Sequence, residues 1–191
     1  MVNVKEVEKT YRKYFDYPGF ETSKNTLRIN PQNGKITVLG NVMLWQSPPE
    51  GKLPVEFEFV NFSLQVQNRG LISLEGCASV VRQDFNCRGN KLTTLIGGPQ
   101  IVGKDYLAGN NPLENLDGLA LEIGHILYLP YHRDLPLLRA LVAPEIVFQN
   151  FDPATPPPYH IIKKYAGKGK RAMFDCQKEL EDAGFEGNAR W

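Results

Sequence analysis

Tyr131-His132-Arg133-Asp134 is the densest polar cluster in this 191-residue chain, and Glu145 follows not far along. A histidine with a nearby carboxylate can act as a general base with its orienting partner, here His132 and Asp134. Against that chemistry, residues adjacent in a turn seldom point together, and no serine or cysteine sits at a recognisable nucleophile elbow. A second candidate, Gly167-Lys168-Gly169-Lys170-Arg171, invites a phosphate-loop reading. It lacks the Walker spacing and the serine or threonine that should follow. Glycines opening a helix, flanked by Lys163, Lys164, Lys168, Lys170 and Arg171, can still hold an anion at the helix N-terminus. That anion would be a nucleotide, a nucleic-acid phosphate or an acidic partner surface; the same run also reads as a solvated basic hinge. His125 and His160 stand alone. Cys77, Cys87 and Cys176 cannot all pair and match no zinc spacing, so they read as reduced thiols of a cytosolic protein. The expectation is no catalytic residue, no metal and no cofactor.

The elements that would position these residues are set by bulk properties and by a repeat. The length suits one domain with small appended ends. Hydrophobic content is 42% and charged content 23%, as in ordinary globular proteins. A net charge of +1 supplies no broad field for nucleic acid or an anionic membrane. No apolar run approaches the roughly 20 residues of a membrane span, and residues 1–16 lack the apolar stretch of a secretory signal.

Leu-x-x-Leu-x-Gly occurs as Leu71, Leu74, Gly76, then Leu92, Leu95, Gly97, then Leu113, Leu116, Gly118, with 21 residues between successive units. Upstream lie alternating pairs at the same interval: Leu64 and Val66, Phe85 and Cys87, Tyr106 and Ala108. Between pair and leucines stand Arg69, Asn90 and Asn111. A looser fourth unit reads Tyr128, Pro130, Arg133, Leu135, Leu138, shifted by one residue, and an outlying one reads Ile36, Val38, Asn41, Met43. Each alternating pair makes a short strand with one face inward. An asparagine at the turn satisfies backbone groups in the bend, and Leu-x-x-Leu returns apolar side chains to the core. A coil of about 21 residues cannot bury its own apolar face, so coils stack and the ends need covering.

The expected architecture is therefore α+β. A short leucine-rich-repeat-like β-solenoid of about 21 residues per coil is capped by an N-terminal helix and two C-terminal helices. Residues 1–20 hold the first cap, an amphipathic helix with Val4, Val7, Tyr11, Tyr14 and Phe15 on one face, ending before Pro18-Gly19. The solenoid occupies 21–150, beginning with strands at 26–30, at 35–44 after an Asn33-Gly34 turn, and at 55–60. A Pro-rich linker covers 151–158. The C-terminal cap, 159–191, holds helices at 159–166 and 170–183, the second stopped by Gly184.

The units Asn86-Cys87-Arg88-Gly89-Asn90-Lys91-Leu92 and Gly109-Asn110-Asn111-Pro112-Leu113 resemble the degenerate leucine-rich-repeat-like coils of uncharacterised tailed-phage proteins. The likeness covers roughly residues 36–150. The runs 165–171 and 187–191 are similar to a tail on some of those proteins. The resemblance implies a phage protein made in the cytoplasm of an infected bacterium, engaging or inhibiting a host protein such as an antiphage defence component. It carries over no catalytic residue.

The expected function is thus binding without catalysis. Residues between the inward-facing pairs should form one outer face: Gln65, Gln67 and Asn68; Asn86, Arg88 and Gly89; Leu107, Gly109 and Asn110; Leu129, Tyr131 and His132, with Arg133 beside them. Arginine, tyrosine and leucines on an amide-rich ladder compose a plausible hot spot for a host protein. The alternative is a binder of nucleotides or nucleic acid through Lys163, Lys164, Lys168, Lys170 and Arg171. A second copy pairing along a solenoid edge stays open.

Overall fold

The structure is a computed structural model that describes residues 2–16, 27–149 and 158–191. The middle of the chain is a β-solenoid of about five turns, and each turn contributes one strand to each of two sheets. The first sheet runs β1 (Leu27–Ile29), β2 (Ile36–Val38), β4 (Phe57–Val60), β6 (Val80–Val81), β8 (Ile101–Val102), β10 (Glu122–Ile123). The second runs β3 (Val42–Met43), β5 (Leu64–Gln65), β7 (Phe85–Asn86), β9 (Tyr106–Leu107), β11 (Ile126–Leu129), β12 (Glu145–Phe148). Only β1 and β2 pair antiparallel; the other pairings are parallel, as stacked coils require.

The leucine repeat forms the third side of each coil. Leu71, Leu74, Leu92, Leu95, Leu113 and Leu116 are all buried in one core with the inward pairs Leu64/Val66, Phe85/Cys87 and Tyr106/Ala108. Phe85 and Tyr106 pack edge to face at 5.0 Å between centroids. The turn side chains do what the spacing suggests. Asn90 accepts from Arg69 N and Leu71 N, both at 3.0 Å, and donates to Val66 O and Cys87 O. Asn111 accepts from Leu92 N at 3.2 Å and donates to Cys87 O and Ala108 O. Arg69 replaces the asparagine as donor, with its Nε 2.6 Å from Leu44 O.

Several expectations need correction. The fourth unit is in phase: Leu127 pairs with Tyr106 and Tyr128 with Leu107, so the 21-residue interval persists. The inward pair is Leu127 and Leu129, and Tyr128 points outward. The residue at the asparagine position is His132, whose Nε2 lies 2.6 Å from Leu113 O, and not Arg133. The expected strand at 35–44 is two strands, β2 and β3, in different sheets, so Ile36 and Val38 do not align with Leu64 and Val66.

The ends are covered by helices. α1 (Val4–Phe15) is N-capped by Asn3 and buries Tyr11, Tyr14 and Phe15. Phe15 and Tyr11 meet Phe57 edge on, at 5.2 and 6.2 Å. Pro18-Gly19 and the linker at 151–157 lie outside the described residues. α2 (Pro158–Tyr165) and α3 (Lys170–Asp182) form the second cap. Gly184, with φ 81°, ends α3 as expected; Gly184 N donates to Glu181 O and Phe185 N to Leu180 O. The last residues return to the solenoid, where Asn188 Nδ2 donates to Leu135 O and Leu137 N to Asn188 O. Among the described residues, no helix is long and apolar enough to cross a membrane.

Candidate functional site

The outer side of the second sheet carries one column read straight from the pairing register: Met43, Gln65, Asn86, Leu107, Tyr128 and Val147. Stacked parallel strands place equivalent side chains one above another at the strand spacing, about 4.8 Å. Met43 opens the column and is 53% exposed. Gln65 and Asn86 form an amide step, with Asn86 Nδ2 donating to Gln65 Oε1 at 3.1 Å. Asn86 points outward but is only 5% exposed, because the Arg88 side chain folds over it. Arg88 N and Nε both donate to Asn86 Oδ1, at 3.2 Å.

At the centre of this face Arg88 and Tyr128 come together, the guanidinium carbon 5.9 Å from the ring centroid. The two lie two coils apart in height, and Gly109 makes the approach possible. A Cβ on Gly109 would stand 2.3 Å from Tyr128 Cε1. The ring therefore lies on bare backbone, beside the half-buried Leu107. Gln67 is half-buried too, and its buried Oε1 has no hydrogen-bond partner.

The structure separates the other expected face residues. Leu129 is fully buried and belongs to the core. Asn110 is exposed, but its φ of 56° marks a turn residue, as it does at Asn68 one step before Gly89 (φ 67°) in the same series. Asn110 and Gln149 bond each other through both their backbone and side chains. Tyr131 packs its ring against Phe148 at 5.6 Å, and burial raises its hydroxyl pKa. His132 and Arg133 are exposed at the turn beyond the strands.

The catalytic candidates are not drawn together around His132, whose Nε2 is engaged by the Leu113 carbonyl. Asp134 offers its carbonyl to Arg190 Nη2 at 3.0 Å. His125, read as solitary, instead places Nδ1 2.8 Å from Asp105 Oδ1. That pair ends a second ladder, at the corner entering the second sheet. Asn41, Ser63, Asp84 and Asp105 each accept the N–H one coil later, from Ser63, Asp84, Asp105 and Ile126. Sequence reading missed it because three different residue types fill one structural role. Its signal was a short polar side chain just ahead of each second-sheet strand.

The five basic residues of the C-terminal segment do not act as a unit. Lys164 is held by Glu179 at 2.6 Å, and that hydrogen bond raises the lysine pKa and lowers the carboxylate's. Lys163 lies over the Tyr159 ring and Lys168 over Tyr165. Arg171 is exposed, and Lys170 opens α3 behind Gly169, an N-cap without a side-chain hydrogen bond. No group of three or more histidine, cysteine or acidic side chains that could hold a metal occurs among the described residues. Compared with protein-family models, curated proteins and solved structures, the chain matches none.

Proposed function

We propose that this chain is a non-enzymatic binding module that takes a partner protein across the outer face of the second sheet. The observation that carries the reading is the Arg88–Tyr128 pair lying over Gly109. It sets an arginine and an aromatic ring, the side chains most enriched in interface hot spots, on a rigid strand platform next to Leu107. Amides at Gln65, Gln67 and Asn86 supply a polar margin. Little ordering cost attaches to such a face, because the coil register already holds its side chains in place.

The likeness of residues 36–150 to coils of tailed-phage proteins supports a phage-encoded modulator or inhibitor of a host protein, such as an antiphage defence component. The alternative, a nucleotide or nucleic-acid binder using Lys163–Arg171, has less support because Glu179 neutralises Lys164.

Affinity capture from bacterial lysate tests the reading. The expected result is one stoichiometric host protein, lost with Arg88→Glu and with Tyr128→Ala while circular dichroism is unchanged. Recovery that ignores both substitutions overturns it.

A further inference from the structure

The first sheet stops one strand short of the second. After β11 the chain passes through a 3-10 turn (Leu138–Val142) and enters β12 directly. β12 pairs with β11 at a 19-residue interval, Leu127 opposite Ile146, two residues fewer than a full coil. Among the described residues, no strand of the first sheet accompanies β12, and β10 is an edge. In preceding coils the edge groups are taken. Ser79 O and Gln100 O accept from Ile101 N and Glu122 N, while Val81 O and Val102 O accept from Gly103 N and Gly124 N. One coil on, the equivalent acceptors are the carbonyls of Leu121 and Ile123, at the open side.

Beside that edge is an apolar groove of about 520 Å³, walled by Leu119 and Leu121, by Leu141 and Val142 of the 3-10 turn, by Met173 and Phe174 of α3, and by Trp191. Leu121 and Phe174 are each 69% exposed and Trp191 51%. The groove's one charged lining side chain is cationic, Arg139. Gly167 and Gly169 bring the uncapped N-terminus of α3 to its border, with exposed Lys168 and Arg171 adjoining. Together these give free strand acceptors, an apolar trough and a positive rim.

We propose that the groove is a strand-accepting site. An extended peptide segment of a partner, with apolar side chains and an acidic group, adds to β10 as the missing strand of the first sheet. Strand addition satisfies the Leu121 and Ile123 carbonyls, fills the trough with alternate side chains, and leaves the acidic group to the rim. This site is separate from the outer face of the second sheet and does not depend on it.

The probe is a synthetic peptide copying Pro99–Asp105, the segment that fills this role one coil earlier, with an acetylated N-terminus and a free carboxylate. It is titrated into the full chain, with Trp191 fluorescence and calorimetry as readouts. Saturable binding is expected. It should weaken at least tenfold when the peptide nitrogens equivalent to Ile101 and Gly103 are methylated, and at least tenfold with Phe174→Glu, whose exposed site lets the variant fold. Arg171→Glu should weaken it severalfold. No binding at millimolar peptide, equal binding of the methylated peptide, indifference to Phe174→Glu, or saturation by decanoate in place of the peptide each overturns the proposal.

Discussion

His132 Nε2 reaches the carbonyl of Leu113, nineteen residues back, across the same interval that separates Asn90 from Leu71 and Asn111 from Leu92. The histidine thus occupies the last rung of the turn ladder. The rungs differ in burial: Asn90 and Asn111 are 6% and 5% exposed, while His132 lies at the surface. A buried polar group stripped of its partner costs about 1–3 kcal/mol, whereas an exposed one is rescued by water. Asn90→Ala leaves two amides and two carbonyls without their bonds, so urea unfolding should show a loss of about 2–4 kcal/mol at unchanged slope. His132→Ala should cost less than about 1 kcal/mol. Equal losses would contradict a graded ladder.

The corner ladder makes a different prediction. Asp84 accepts from Asp105 N and from the Ser63 hydroxyl through separate carboxylate oxygens. What matters there is an acceptor of the right length, so Asp84→Asn should hold most of the stability. Asp84→Ala should lose about 1–2 kcal/mol. Thermal or urea unfolding of the pair checks this, and an asparagine variant as damaged as the alanine one would mean that charge, and not hydrogen bonding, is what the corner uses.

Gly109 has an ordinary negative φ, so its requirement is steric and not conformational. Gly109→Ala drives a methyl into the Tyr128 ring, with Gln149 Oε1 also within 2.9 Å of the new carbon. The ring must swing off the sheet and away from Arg88. We expect a modest destabilisation of about 1–3 kcal/mol and loss of partner capture comparable to Tyr128→Ala. Retained capture with a displaced ring would separate the tyrosine from recognition.

The leucine spacing made the coil visible because burial demands the same side chain at the same place in every turn: Leu71, Leu92 and Leu113 have one environment. The first sheet stayed hidden since β6, β8 and β10 are two residues each, too short for alternation to register, and Glu122 breaks the apolar pattern at its edge. Tyr128 misled the fourth unit: an aromatic beside two leucines reads as core, yet its ring packs outward onto Gly109. The Arg88–Tyr128 pairing followed from the uninterrupted interval once that phase was corrected. The groove joins residues 119–121, 139–142, 167–174 and 191, and no periodic signal links segments so far apart. Both caps were legible from 3.6-residue patterning and from Gly184.

The thiols give a pH prediction whose sign follows from burial. Cys87 is fully enclosed, and desolvation first, with Cys77 nearby second, pushes its pKa far up. Desolvation likewise raises Cys77, and raises Cys176 to about 12. An acid whose folded pKa exceeds its unfolded value stabilises the fold fully below the unfolded pKa, about 8.5 for a thiol. That contribution fades as pH climbs toward the folded value, because the unfolded chain sheds protons that the folded one keeps. Stability should therefore be flat through neutral pH and fall steadily above about pH 8.5, the buried phenols of Tyr11 and Tyr106 adding to the slope from about pH 10. Cys87→Ala should flatten the first part of that fall while lowering stability at pH 7, since it also empties core volume. In the native state at pH 7 the thiols should react with a disulfide reagent only as fast as the chain opens, and all three at once in denaturant. Rapid labelling of Cys87 in the folded protein, or a stability that rises between pH 8.5 and 10, would show that the thiol does not sit in the sealed interior described here.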